Sequence, residues 1–141
     1  MAKTVFVTGG GGYVGSHCAK AFAEAGWTVV TYDNFSRGHR DLVKWGEAIE
    51  GDILDFEHLQ DSMQGSNLIV HAAAIAGIDA TIQHPVKTMT VNMVGTYNVL
   101  RAAQSLENLE RIVEFSSSEV FGSKAYKVSE ANKTETGAVG E

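Results

Sequence analysis

Cysteine and basic residues are scarce in this sequence, and long apolar runs are absent. Each absence excludes something. The one cysteine, Cys18, rules out an intramolecular disulfide and leaves no cysteine cluster for a metal. Eleven lysines and arginines stand against 17 acidic residues, a net charge of −6. No basic patch forms, so nucleic acid is not an expected partner. No run approaches the length of a membrane span, so no membrane is expected either. The opening residues lack a signal-peptide pattern, and a cytoplasmic protein is the plain expectation. Internal repeats and low-complexity linkers are also missing. What remains is 141 residues, 44% hydrophobic and 20% charged, enough for one globular domain with a core.

The apolar residues fall into alternating strand-like and helix-like segments. Thr4–Thr8 is uncharged and β-branched, as suits the centre of a sheet covered on both faces. A helix is expected from Ser16 to Ala25, with Val14, Cys18, Phe22 and Ala25 on its apolar face. Strands are expected at Trp27–Tyr32, Glu47–Gly51, Ser66–Val70 and Leu109–Phe115. Asp55 is placed to cap a helix over Phe56–Met63. The longest helical pattern runs from Pro85 to about Ala103, with Met89, Met93, Thr96, Leu100 and Ala103 on the stripe expected to be buried. Alternation of this kind predicts an α/β fold, a parallel sheet with helices on both faces. Residues 1–122 form this domain; residues 123–141 turn polar and read as a loop or mobile tail.

The glycines carry the first chemical signal. Gly9-x-x-Gly12-x-x-Gly15 lies between the first strand and the first helix. Such a turn holds a dinucleotide pyrophosphate against backbone amides, including those of Tyr13 and Val14. Gly9 makes the tight turn, Gly12 gives the phosphates access, and Gly15 lets the helix pack closely on the strand. No Gly-Lys-Ser/Thr follows, which excludes a P-loop. Asp33, at the end of the second strand, suits the two hydroxyls of an adenosine ribose and repels a 2′-phosphate, favouring NAD over NADP. Arg37 and Arg40, close by, weaken that preference.

Four further groups follow. Asp52 can accept from the adenine amino group, with Ile53 beside the ring, or it can cap the next helix. His71 ends an apolar strand and reads as a satisfied structural histidine, with a general base as the alternative. Ala72, Ala73 and Ala74 are small enough for a cofactor to lie across them. Ser116, Ser117, Ser118 and Glu119 follow a strand at the edge where ligands bind in open sheets, and Glu119 can act as acid or base if its pKa is raised.

Together these residues resemble the N-terminal part of the extended short-chain dehydrogenase/reductase family of nucleotide-sugar epimerases, dehydratases and decarboxylases. Thr8 to Gly15 resembles its cofactor motif, and Tyr32-Asp-Asn-Phe-Ser-Arg-Gly38 its ribose loop, which brings in Asn34, Ser36 and Arg37. Gly51-Asp52-Ile53 resembles the adenine contact, His71-Ala-Ala73 the fourth-strand motif, and Asn92-x-x-Gly95-Thr96 the helix asparagine. Ser116 to Gly122 resembles the serine-rich active-site segment. The resemblance implies a Rossmann-type doubly wound parallel sheet, truncated after the fifth strand. It also implies NAD as cofactor, a nucleotide-sugar substrate for the full-length protein, and a homodimer.

By the same resemblance Ser117 matches the residue that hydrogen-bonds substrate at the reacting carbon. Glu119 matches a glutamate of the dehydratase and decarboxylase branches. Ser118 replaces the aspartate of hexose dehydratases, and Ala76 the lysine of galactose epimerases, so the subclass stays open.

One departure matters. The family's chemistry uses a Tyr-x-x-x-Lys pair, yet here Tyr13 is followed four on by His17, Tyr97 by Arg101 and Tyr126 by Glu130. The expectation is a piece of a protein roughly twice as long. The alternatives are a catalytically inactive NAD-binding sensor or scaffold, or a fragment without independent function.

Overall fold

The computed structural model describes residues 2–117 and 120–121. The strands are β1 (Thr4–Thr8), β2 (Thr28–Asp33), β3 (Glu47–Glu50), β4 (Leu68–His71) and β5 (Arg111–Glu114). They form one five-stranded sheet in the order β3-β2-β1-β4-β5, parallel at every pairing. The chain moves from β1 outward through β2 to β3, then returns to place β4 on the other side of β1. That reversal opens a crevice between the C-terminal ends of β1 and β4, where open α/β sheets bind ligands. This is the parallel sheet that the alternation of segments predicts, in the Rossmann-type doubly wound arrangement that the resemblance implies.

The central strands β1 and β4 are buried on both faces, since successive strand residues point to opposite sides and each side is covered. Val5, Val7, Val29 and Val70 meet Ala19 of helix α1 (Tyr13–Glu24), with Cys18, Phe22 and Ala23 beside it. Phe6, Tyr32 and Ile69 meet Leu59 of α2 (Phe56–Ser62) and Val99, Ala102 and Ala103 of α5 (Thr96–Ala103). Full burial of each large side chain contributes about 1.5–3 kcal/mol, so this double layer is the main source of stability. The N-terminal edge is stapled by Asn67. Its Oδ1 accepts from the Thr4 amide at 2.9 Å, and its carbonyl accepts from the Glu110 amide at 2.7 Å.

Four expectations need correction. Helix α1 begins at Tyr13, three residues before Ser16. Val14 and Ala25 are exposed, and its buried positions are Gly15, Ser16 and Ala19. The stretch from Pro85 to Ala103 is not one regular helix. It consists of α4 (Pro85–Met89), a π-helical segment (Thr90–Gly95) and α5, preceded by a short α3 (Ile78–Gln83). Its buried face is also a different one. Met89, Met93 and Leu100 are 57%, 61% and 45% exposed, whereas Thr88, Gly95, Asn98, Val99, Ala102 and Ala103 are buried. Small residues let the helix approach the sheet and α2. Asn98 is satisfied there because its Nδ2 donates to the Ile53 carbonyl at 2.9 Å.

Candidate functional site

The site is built from the turn after β1. Gly9 takes φ +71°, and a Cβ there would lie 2.7 Å from the Ala72 carbonyl carbon, so only glycine lets the β1 and β4 ends come this close. A Cβ at Gly15 would overlap the Gly9 carbonyl oxygen. Gly15 therefore lets α1 press on the glycine turn itself, rather than on the strand as expected. Gly12 donates to the Gly9 carbonyl at 3.0 Å and stands at the N-cap of α1 without a side-chain cap. The first amides of α1 are left without intrahelical partners, at the positive end of the helix dipole.

Asp33 closes the turn from the β2 side. Its Oδ2 accepts from the Gly11 amide at 2.8 Å, and its Oδ1 accepts from the Phe35 amide at 2.7 Å. Each oxygen keeps a second lone pair for a ligand hydroxyl. Asn34 donates to Asp52 Oδ2 at 2.9 Å and accepts from Ser36, tying the ribose-loop residues to the end of β3. Asp52 Oδ1 accepts from the Leu54 amide at 2.9 Å, while the cap of α2 is Asp55, which accepts from the His58 amide at 3.2 Å. Arg37 reaches across to donate to the Ala76 carbonyl at 2.9 Å. Arg40 is paired with the Glu50 carboxylate and lies over the Phe35 ring.

These residues line one groove of about 820 Å³ along the ends of β1, β2 and β4. Of the candidates, Gly9, Gly12, Tyr13, Val14, Gly15, Asp33, Asn34, Ser36, Arg37, Asp52, Ile53, Ala72, Ala73 and Ala74 all border it. Lys87 and Thr90 of the α4 and π segments border it as well and were not anticipated, since no motif marks them. Ile53 is only 5% exposed and packs into the core beside Gly95.

Asn92 lines not the groove but an adjoining recess of about 150 Å³, which shares Ala72, Ala73 and Ala74 with the groove and is lined also by His71, Thr96, Glu114 and Phe115. Both ends of its side-chain amide are taken by one residue. Oδ1 accepts from the Ile75 amide at 2.8 Å, and Nδ2 donates to the Ile75 carbonyl at 2.9 Å. Ser116 and Ser117 are exposed just beyond β5 and border neither the groove nor the recess. Ser118, Glu119 and Gly122 lie outside the described residues, as do residues 123–141.

Burial displaces three titratable groups at the groove and its adjoining recess. His71 is 2% exposed, and its pKa falls to about 4 because the charged ring is stripped of water. Glu114, paired with His71 in register, has its carboxyl pushed up by desolvation. Tyr32 is raised to about 12, by burial first and then by Asp55 and Asp52. Among the described residues no group of three His, Cys, Asp or Glu side chains is placed to hold a metal ion.

A parallel sheet whose strand order reverses after β3, a glycine turn feeding an uncapped helix, and an acid at the end of β2 define a Rossmann-type nucleotide-binding module. The family model described as "NAD dependent epimerase/dehydratase family" matches residues 5–140. The chain belongs to that family. It is 41% identical over 105 residues to a UDP-glucose 4-epimerase of Rhizobium leguminosarum bv. trifolii, covering 73% of this chain and 32% of that protein. It is 32% identical over 126 residues to a UDP-N-acetyl-alpha-D-glucosaminuronate decarboxylase of Bacillus cytotoxicus, covering 86% and 39%. Among solved structures, UDP-glucose 4-epimerase from Brucella ovis in complex with NAD superposes with a TM-score of 0.80 at 36% identity, over 86% of this chain and 38% of that one. The chain thus spans 32% and 39% of the lengths of these two curated relatives.

Proposed function

We propose that the groove binds NAD, and that the chain is the cofactor-binding portion of a nucleotide-sugar epimerase or dehydratase. The observation that carries this reading is that Asp33, whose Oδ2 accepts from Gly11 of the Gly9–Gly15 turn, borders one groove together with that turn. The turn and the first amides of α1, at Tyr13 and Val14, hold the pyrophosphate. Asp33 accepts the adenosine ribose hydroxyls, Asp52 and Ile53 border the adenine, and Ala72–Ala74 form the wall along which the dinucleotide lies. NAD bound there would accept the hydride from a sugar carbon that bears a hydroxyl. Ser117 and Glu119 are this chain's residues for contact with the sugar.

NAD is favoured over NADP on charge. Asp33 repels a 2′-phosphate, and the nearby cations are already engaged, Arg40 with Glu50 and Arg37 with the Ala76 carbonyl. Calorimetric titration of the full chain tests this. Saturable NAD binding competed by ADP-ribose, with NADP at least tenfold weaker, is the expected result; a folded chain indifferent to NAD, or one preferring NADP, overturns it.

A second reading rests on one observation: within these 141 residues no tyrosine is followed by lysine four positions on. It makes the chain an NAD-binding module without turnover of its own. Interconversion of UDP-glucose and UDP-galactose by the purified chain with added NAD would exclude that reading.

A further inference from the structure

We propose that His71, held as its neutral Nε2–H tautomer, is a positioning residue that fixes the Ala72–Ile75 wall of the groove against the glycine turn. The inference rests on reading that groove as the cofactor site, but its geometry is independent of the ligand. Thr96 settles the tautomer. Its hydroxyl donates to the Asn92 carbonyl at 2.7 Å, which leaves its oxygen able only to accept. His71 Nε2, 3.0 Å away, must therefore carry the hydrogen. Nδ1 is then the acceptor, and the Thr8 hydroxyl donates to it at 2.6 Å. With its proton so used, the Thr8 oxygen is left to accept from the Ala73 amide, 3.3 Å away.

The result is one directed relay, Ala73 N–H to Thr8, Thr8 to His71, His71 to Thr96, and Thr96 to the Asn92 carbonyl. Asn92 then closes the circuit, since its side-chain amide clamps both backbone groups of Ile75. Three elements meet in it: β1 through Thr8, β4 through His71, and the helical run through Thr96 and Asn92. The loop that leaves β4 is thereby held at two residues, Ala73 from the β1 side and Ile75 from the helix side. Both border the groove. Asn92, the helix asparagine of the family resemblance, holds the same wall through Ile75.

A proton on Nδ1 would meet the Thr8 hydroxyl donor head on, and the hydroxyl would have to turn away and give up that bond. Burial opposes that charge as well. The ionisable neighbour is Glu114 on β5, whose Oε2 is 4.0 Å from Nε2. It favours a charged ring, but its own carboxyl is held toward the neutral form. β1 and α5 present only the hydroxyls of Thr8 and Thr96 to the two ring nitrogens.

The test uses the full chain labelled with nitrogen-15, without ligand. The expected imidazole signals for His71 are those of the Nε2–H tautomer, unchanged from pH 7.5 to 5.5. An Nδ1–H tautomer, or titration near pH 6.5, overturns the proposal. Amide exchange then reads the wall. In His71→Gln, which keeps a donor for Thr96 and loses the acceptor for Thr8, the Ala73 amide should exchange about tenfold faster relative to Val5 and Val7 of β1. Thr8→Val should produce the same change, and neither should add to the other. Unchanged protection at Ala73 in both variants also overturns it. NAD titration of the unaltered chain is a separate arm: if it fails while the tautomer and protection results hold, the cofactor reading is wrong and the positioning role stands.

Discussion

At the residue scale the decisive positions are those where one atom more or less changes the site. Gly15→Ala places a methyl group on the Gly9 carbonyl oxygen, and backbone on both sides leaves little room to relax. Overpacking of this kind costs about 1–3 kcal/mol. We expect a lower urea midpoint together with loss of NAD binding in titrations below the transition. His71 makes stability depend on pH. Its folded pKa is about 4 against an unfolded value of 6.5. The unfolded chain therefore takes up a proton first as pH falls. The contribution of neutral His71 is whole above pH 6.5 and is lost between 6.5 and 4, roughly 3 kcal/mol in all. Glu114 runs the other way, since its folded pKa is raised, but it is half exposed and its share is smaller. Urea midpoints measured from pH 7 to 4 should fall for the natural chain and stay nearly level for His71→Gln. Equal slopes would show that the histidine does not titrate as described.

Legibility also differs by residue. Gly9, Gly12, Gly15 and Asp33 could be read from the sequence because each role is local: a turn, a helix start, a strand end at a known spacing. The relay through Thr8, His71 and Thr96 could not, because it joins residues 63 and 25 positions apart and no spacing encodes it. The same holds for Lys87 and Thr90, which reach the groove from the helical run after β4.

At the scale of elements, the strands were legible within two residues or so at each end, since apolar β-branched runs between turn signals have few other uses. The run from Pro85 to Ala103 was legible as helical but not in its facing. Hydrophobicity pointed the large residues inward, and close packing decided otherwise. The π-helical segment adds a residue within the run, and the small face of Gly95, Ala102 and Ala103 is what fits against the core. Asn98 is the polar member of that face, with Nδ2 reaching the Ile53 carbonyl at 2.9 Å and the Leu54 carbonyl at 3.4 Å. Asn98→Leu leaves the Ile53 carbonyl unpaired and should cost about 1–3 kcal/mol. Asn98→Asp should cost more, because it turns a carboxylate toward the same two carbonyls. Thermal unfolding of the pair checks the order. If Asn98→Asp proves the milder change, the amide is not donating as described.

At the scale of the whole molecule, the large apolar residues left outside need a partner. Val86, Met89, Met93, Tyr97 and Leu100 recur every three or four residues along the helical run and are 78%, 57%, 61%, 61% and 45% exposed. Ile78 and Ile82 of α3 add to them at 78% and 73%. Soluble proteins rarely leave so many neighbouring apolar side chains in water. We propose that a second copy of the chain covers this stripe, as a homodimer of helix against helix. An alternative lies at β5, whose outer side carries no strand among the described residues and whose Val113 and Phe115 are 37% and 46% exposed. An open edge can pair with another chain. The two modes separate cleanly. Met93→Lys with Tyr97→Lys places two charges on the stripe and leaves the β5 edge untouched. Sedimentation of the natural chain should show a concentration-dependent dimer, and the double variant should sediment as a monomer at the same concentrations with its circular dichroism unchanged. A dimer that survives the double variant assigns association to the strand edge. A natural chain that stays monomeric throughout the range removes the helical interface altogether.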